Sequence, residues 1–238
     1  MASLYDSASL VMIPSGYKDD KLFSIKPTDG SGDFTFSRDG AGASPATRVN
    51  ASGLIEKGRE NLLTYSNTFI NAVWIKSGAS VTSGQSGYDG SSDAWALTTT
   101  ATAGSHRVYH SSVNSSGIVT CSVYAKANGY SHLFIYANTP SGTDRGAYFD
   151  LLGGSVGTQT NKIVDATITS VGGGWYRCDV KQDNSLGIFE LYVGDGENIS
   201  FTGDGTSGIL IQDAQVENGL VSTSYIETTT APVSAGLL

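Results

Sequence analysis

Aspartate-glycine and asparagine-glycine pairs punctuate this chain at Asp29, Asp39, Asp89, Asn128, Asp195, Asp204 and Asn218. Both residues of such a pair tolerate a positive φ, so each pair is a strong signal for a tight turn. The stretches between them alternate with period two. In "IVTCSVYAKA", Val119, Cys121, Val123 and Ala125 fall on one face, opposite Thr120, Ser122, Tyr124 and Lys126. In "WYRCDV", Tyr176, Cys178 and Val180 oppose Trp175, Arg177 and Asp179. In "FELYVG", Phe189, Leu191 and Val193 oppose Glu190 and Tyr192. Alternation with one polar face marks antiparallel sheets packed on one side. The expected fold is an all-β antiparallel sandwich or barrel.

Strands are expected near 62–66, 79–83, 93–99, 106–113, 118–127, 131–138, 146–152, 155–160, 166–171, 174–181, 187–194 and 208–217. No segment has a convincing helical period; "SNTFINAVW" offers at most a turn or two. With 39% hydrophobic and 10% aromatic residues the chain is too apolar to be disordered, although Gly reaches 30. Its 238 residues suffice for one large β domain, or one domain plus an arm.

Several classes are excluded. No apolar run approaches the roughly 20 residues of a spanning helix, so no membrane partner is expected. The apolar patch in "MASLYDSASLVMIPSG" has no basic residue before it, which argues against a secretory signal peptide. A net charge of -8 disfavours nucleic acid, whose phosphates an acidic surface repels. Cys121 and Cys178 form no C-x-x-C pair, so the usual zinc signature is missing. Both are expected as buried free thiols of a protein made in a reducing cytoplasm.

Residues 1–58 read as an N-terminal attachment arm, and 59–238 as the sandwich. The arm carries six of the 14 basic residues and is broken by Gly, Pro and Asp. It still holds Leu10, Val11, Met12, Ile13, Leu22, Phe23, Ile25, Phe34 and Phe36. Such a segment cannot easily bury those groups alone, so it needs the sandwich or a partner. Leu10, Val11, Met12, Ile13, Phe23, Phe34 and Phe36 are the expected docking residues.

The end of the chain carries a more specific signal. "ILIQDAQVENGLVSTSYIETT" contains Ala214, Gln215, Val216, Glu217 and Gly219, then Thr223, Ser224, Tyr225, Ile226 and Thr228. This resembles the closing strand, turn and tail of jelly-roll modules in bacteriophage head- and tail-fibre proteins. "ENLLTYSNTFINAVWIKSGASVT", "CSVYAKA" and "GGGWYRCDV" resemble other strands of the same modules, in order. The leader segments "LVMIPSGYKDDKLFSIKPTDGSGDFTFSRDG" and "ATRVNASGLIE" are also similar to those of such phage proteins. The resemblance implies a virion-surface structural protein, a head or tail fibre or decoration subunit. It implies docking to other virion proteins and a symmetric oligomer, with a trimer favoured. The wider jelly-roll family includes the carbohydrate-binding modules of xylanases and cellulases, which implies a cell-surface glycan as a further partner. Related modules hold a structural calcium ion, and Glu60, Asn61 and Asp213 match its place.

The residues themselves favour binding over catalysis. There is no G-x-S-x-G elbow, and the histidines are His106, His110 and His132. On a strand His106 and His110 would lie about 13 Å apart, too far to share a metal. Asp150, Asp179, Glu190 and Asp213 fall on expected strands, so a hydrolytic carboxylate pair is conceivable, but acidic β proteins contain such pairs by chance. Glycan binding asks for less: aromatic faces for sugar C–H surfaces and fixed polar partners for hydroxyls. Tyr124, Lys126, Tyr136, Tyr148, Trp175, Arg177 and Tyr192 are the candidates. The alternative is that these aromatics simply line a twisted sheet.

Overall fold

The computed structural model describes residues 8, 10–18, 21–35, 47–49, 55–57, 59–115, 117–138, 146–160, 163–183 and 185–235. Of strand residues 12–18, 21–23, 34–35, 47–49, 55–57, 59, 138 and 234–235 only the backbone is described. The chain divides into two compact units, Met1–Ala43 and Ser44–Leu238.

In the first unit β1 (Val11–Lys18), β2 (Lys21–Lys26) and β3 (Phe34–Thr35) form an antiparallel sheet in that order. The connection from β2 to β3 closes on its own side chains. Asp33 accepts the Ser24 amide at 2.7 Å, and Asp29 accepts the amide and hydroxyl of Ser31. Gly30, at φ +82°, supplies the positive φ that the Asp-Gly pair promised. Leu10 is exposed and Val11 half-buried. Of the other expected docking residues, Phe36 and the side chains of Met12, Ile13, Phe23 and Phe34 lie outside the described residues.

The second unit opens with β4 (Thr47–Val49), β5 (Ile55–Lys57) and β6 (Arg59–Asn61). It continues with β7 (Trp74–Ser77), β8 (Ala79–Gln85), β9 (Ala94–Thr99), β10 (Ala103–Ser105) and β11 (Arg107–His110). Next come β12 (Val119–Asn128), β13 (His132–Asn138), β14 (Gly146–Asp150), β15 (Ser155–Gln159) and β16 (Ile163–Gly172). The last are β17 (Trp175–Gln182), β18 (Ile188–Gly194), β19 (Ser200–Thr202), β20 (Gly208–Asn218) and β21 (Val233–Ala235). Two six-stranded antiparallel sheets make the sandwich. The first runs β15-β14-β13-β18-β11-β7 and the second β16-β17-β12-β20-β9-β8. The chain passes back and forth between them, which is jelly-roll connectivity. β21 pairs with β6, and β10 with β19.

The core lies between the sheets and follows the alternation. Leu133, Ile135, Phe149, Phe189, Leu191 and Val193 of the first sheet meet Val119, Val123, Val180, Ile209, Ile211 and Val216 of the second. Each such side chain, fully removed from water, contributes roughly 1.5–3 kcal/mol. Cys121 and Cys178 are buried and unpaired in this core, and burial pushes both thiols well above their ordinary pKa.

Residues 62–66 are not a strand. Leu62 and Leu63 are buried, but the chain turns, with Tyr65 at φ +51°. The indole N–H groups of Trp74 and Trp95 donate to the carbonyls of Tyr65 and Asn67, at 2.8 and 2.9 Å. Two core tryptophans thus hold the segment as a loop. The strand that follows, Trp74–Ser77, lies where no strand was expected. His106 and His110 are interior. His106 contacts the carbonyls of Gly78 and Phe201, and His110 contacts the Thr64 hydroxyl at 3.0 Å. Burial lowers the His110 pKa to about 4, which keeps it neutral near pH 7.

Candidate functional site

The two sheets have different outer faces. On the second, β20 carries a bulge: Asp213 and Ala214 together oppose the single residue Val123 of β12. The bulge puts Asp213 at φ +56°, one of two positive-φ non-glycine residues among those described. Beyond it Gln215 and Glu217 turn outward, fully buried, and hold the tail that follows. The Glu217 carboxylate accepts the Thr223 amide at 2.9 Å and its hydroxyl at 2.8 Å. The Gln215 carbonyl accepts the Ile226 amide at 2.8 Å. Arg177 donates to the Thr223 carbonyl at 2.6 Å. Farther along, the Ser66 hydroxyl meets Tyr225 Oη at 2.7 Å and accepts the Thr228 amide at 2.9 Å. The tail is a strap across this face.

Part of that face, over β12, lies beneath the loop before β9. Tyr88 stacks on Tyr124 with centroids 3.7 Å apart and planes 5° from parallel. Its hydroxyl donates to Asp213 at 3.0 Å. Trp175, Tyr124 and Ala94 form a small buried cluster under Tyr88, Leu210 and Tyr225. Burial first, then the charges of Asp93, Asp89 and Glu227, raise the Asp213 pKa to about 7 against the opposing Tyr88 hydrogen bond.

The outer face of the first sheet carries no hydrogen-bonded strap of this kind among the described residues. One row crosses it through Tyr148, Phe134, Tyr192, Arg107 and Ser77, on β14, β13, β18, β11 and β7. The next row runs Gly146, Tyr136, Glu190, Tyr109 and Ile75. Phe134 is the hub, with centroids 4.4 Å from Tyr148, 5.9 Å from Tyr136 and 6.0 Å from Tyr192. Its ring lies over Gly146, where any side chain would collide with it. Tyr136, Tyr148, Tyr109 and Arg107 are half-buried, whereas Phe134, Tyr192 and Glu190 are about 95% covered.

A polar triad sits in the floor. Arg107 donates to Glu190 at 2.8 Å and to the Tyr192 hydroxyl, which itself donates to Glu190 at 3.0 Å. The guanidinium lies between the rings of Tyr109 and Tyr192, 5.1 and 5.2 Å from their centroids. Burial and the Glu190 charge push the Tyr192 hydroxyl up to about 12, so it stays a donor.

The sequence candidates therefore divide. Tyr124, Lys126, Trp175 and Arg177 share the outer face of the second sheet, where Tyr124 pairs with Arg177 and Lys126 with Trp175. Tyr136, Tyr148 and Tyr192 share the first. Phe134, Tyr109 and Arg107 complete the open face and were missed. Their signal was parity: Phe134 is two residues from Tyr136, and Arg107 two from Tyr109 on an expected strand.

Glu60 and Asn61 serve as clamps. Glu60 accepts the Asn218 amide. Asn61 accepts the amides of Leu63 and Val216 and donates to the carbonyls of Ala214 and Ile226. Among the described residues no group of three or more His, Cys, Asp or Glu side chains is placed to hold a metal ion. Of the strand carboxylates, Asp150 accepts the amides of Leu152 and Gly153, and Asp179 is buried beside Arg177.

No protein-family model matches the sequence, and no curated protein matches it. Solved structures with some likeness include the carbohydrate-binding module TmCBM61 in complex with β-1,4-galactotriose. It is 11% identical at a TM-score of 0.39, covering 66% of this chain and 97% of that one. The enzymatically active domain of bacteriophage CBA120 tailspike protein 4 is 14% identical at 0.40, covering 66% of this chain and 21% of that one. The CBM22-1–GH10 modules of a Clostridium thermocellum xylanase, complexed with xylohexaose, are 16% identical at 0.37, covering 68% and 28%. In the last two, this chain spans well under a third of the other's length. The fold assignment stands on strand order and register.

Proposed function

We propose that the chain is a non-catalytic structural subunit of a bacteriophage virion that displays a glycan-binding sandwich. The observation that carries the binding reading is the aromatic outer face of the first sheet. Tyr148, Phe134, Tyr192 and Arg107 stand on four neighbouring strands, a row of about 14 Å at the usual strand spacing. That is an extended platform, suited to a chain of sugar rings stacking on aromatics and hydrogen-bonding to fixed polar groups. Tyr136 and Tyr148 supply stacking surface, and Arg107 and Glu190 supply hydroxyl partners. Glycan array binding of the full chain, lost in Tyr148→Ala at unchanged thermal stability, is the test. Retention of full binding in that variant rejects this face.

The virion reading is supported by the sequence segments that resemble phage fibre modules in order, the closing motif above all. In this reading the N-terminal residues dock the subunit on other virion proteins, and the sandwiches assemble as a symmetric oligomer, a trimer first. Antibody raised against the chain should label the surface of the intact particle; labelling absent from particles rejects it.

A further inference from the structure

Among the described residues, Arg107 is the cation in the aromatic floor of the open face, and it is already answered. Arg107 spends one terminal nitrogen on both Glu190 and Tyr192. Its Nε is buried with no hydrogen-bond partner. Glu190 lies 4% exposed in the sheet floor, and its Oε2 takes both the guanidinium and the Tyr192 hydroxyl. The platform's centre is therefore neutral overall. Its rim on the Tyr148 side carries the carboxylates of Glu197 and Asp150, with His132 across from Asp150 on β13 and near enough to favour the charged form of both. Glu197 accepts the amide of Thr158 at 2.7 Å there, and its charge raises the Tyr148 pKa after burial. Asp150 stands two residues along the same outer face, held below the usual carboxylate range by the amides of Gly153 and Leu152. A ligand carboxylate or sulfate laid on this face would meet two rim anions and a guanidinium whose charge Glu190 has cancelled.

Resting on the glycan reading of this face, we infer that the ligand is a neutral glycan and that Glu190 is the residue that sets this preference. A neutral ring stacks on the tyrosines and donates hydroxyl hydrogens to Glu190. A uronate, sialate or sulfate ester is repelled, because among the described residues of this face no uncompensated guanidinium or ammonium receives it. With Glu190 made neutral, Arg107 has no partner charge and becomes a fork for an anion. Glu190 acts here by excluding ligands as much as by holding one.

The experiment is affinity electrophoresis of the full chain in gels containing neutral polysaccharides (a glucan, a mannan, a galactan, a xylan) or acidic ones (polygalacturonate, alginate, hyaluronan). The wild type should bind at least one neutral polymer, and tenfold or more tighter than any acidic one. Glu190→Gln should gain at least tenfold for an acidic polymer, and Glu190→Gln with Arg107→Met should lose that gain. The wild-type comparison needs no variant, so a misfolded Glu190→Gln leaves the inference open to refutation. Acidic polymers bound as tightly as neutral ones, with that binding abolished by Tyr148→Ala, would overturn the neutral preference and keep the platform. If neither kind binds, the glycan reading fails and takes this inference with it.

Discussion

The outer faces of the two sheets start from the same sequence pattern and end in different states. Each presents at least one tyrosine, an arginine and a carboxylate at outward positions. On the second sheet, Gln215, Glu217 and Arg177 hold the tail, and Tyr88 lies on Tyr124. On the first sheet, Arg107, Glu190 and Tyr192 bond to one another, and the rings of Tyr109, Tyr136 and Tyr148 stay half-buried. Outward polar residues thus have two uses. They can clamp the chain's own backbone, or bond among themselves and leave aromatic surface for something else.

The largest effect should come from cutting the clamp. Glu217→Ala leaves the Thr223 amide without its acceptor and removes the shortest hydrogen bond of the buried Gln215 side-chain amide. A loss of about 3 kcal/mol is expected, read as a lower midpoint of denaturant unfolding. An equal loss from Tyr136→Ala would erase the contrast between the faces.

Binding should show the reverse asymmetry. Tyr136→Ala and Tyr148→Ala should each weaken glycan binding about tenfold, near 1.4 kcal/mol. Tyr124→Ala, under its cover, should change stability and leave affinity within twofold. Titration calorimetry beside thermal melts separates the two, and an affinity loss for Tyr124→Ala alone would move the site to the second sheet.

Acidity offers a gentler probe of the covered face. The folded pKa of Asp213 is raised to about 7, chiefly by burial. Its contribution to stability is fully present below the ordinary carboxylate pKa and is lost as pH rises through about 7. Stability should therefore increase by about 1 kcal/mol from pH 8 to pH 6. His110 works in the other sense. Its pKa is lowered to about 4, so its contribution is present above its ordinary pKa and is lost as pH falls through about 4. Asp213→Asn tolerates the positive φ and should flatten the change between pH 8 and 6. A slope unchanged in that variant would show that another group titrates.

The smallest effect belongs to the ion pair of Lys181 with Asp165, 2.6 Å apart on the second sheet near its edge. The Asp165 side chain is 47% exposed, so its alanine variant should cost no more than about 0.5 kcal/mol. A loss comparable to Glu217→Ala would mean that position on this face, and not cover by the tail, sets the energetics.

Much of the candidate site was legible, strand by strand. Tyr136, Tyr148 and Tyr192 were read as candidates on strands, and each stands beside an apolar inward residue, Ile135, Phe149 or Leu191. Which of the seven candidates stand together was not legible. Tyr124 and Tyr136 have the same parity and the same chemistry, and only strand order puts one beside Arg177 and the other beside Glu190. The loop at 62–66 was misread because a buried Leu-Leu pair looks like strand core, while the indoles that bend it lie on Trp74 and Trp95.

Apart from the tail, whose closing role was read from a resemblance, the sequence by itself determined the class of fold, the inward and outward sides of most strands, and the burial of the two cysteines. These follow from local rules: side chains alternate along a strand, and Asp-Gly and Asn-Gly pairs turn the chain. Tertiary structure decided which face is strapped and which is open. The clamps join residues far apart in sequence, as when Asn61 holds Ala214 and Ser66 holds Thr228. Such pairings depend on which strands become neighbours, and on a single bulge at Asp213 that no local pattern announces.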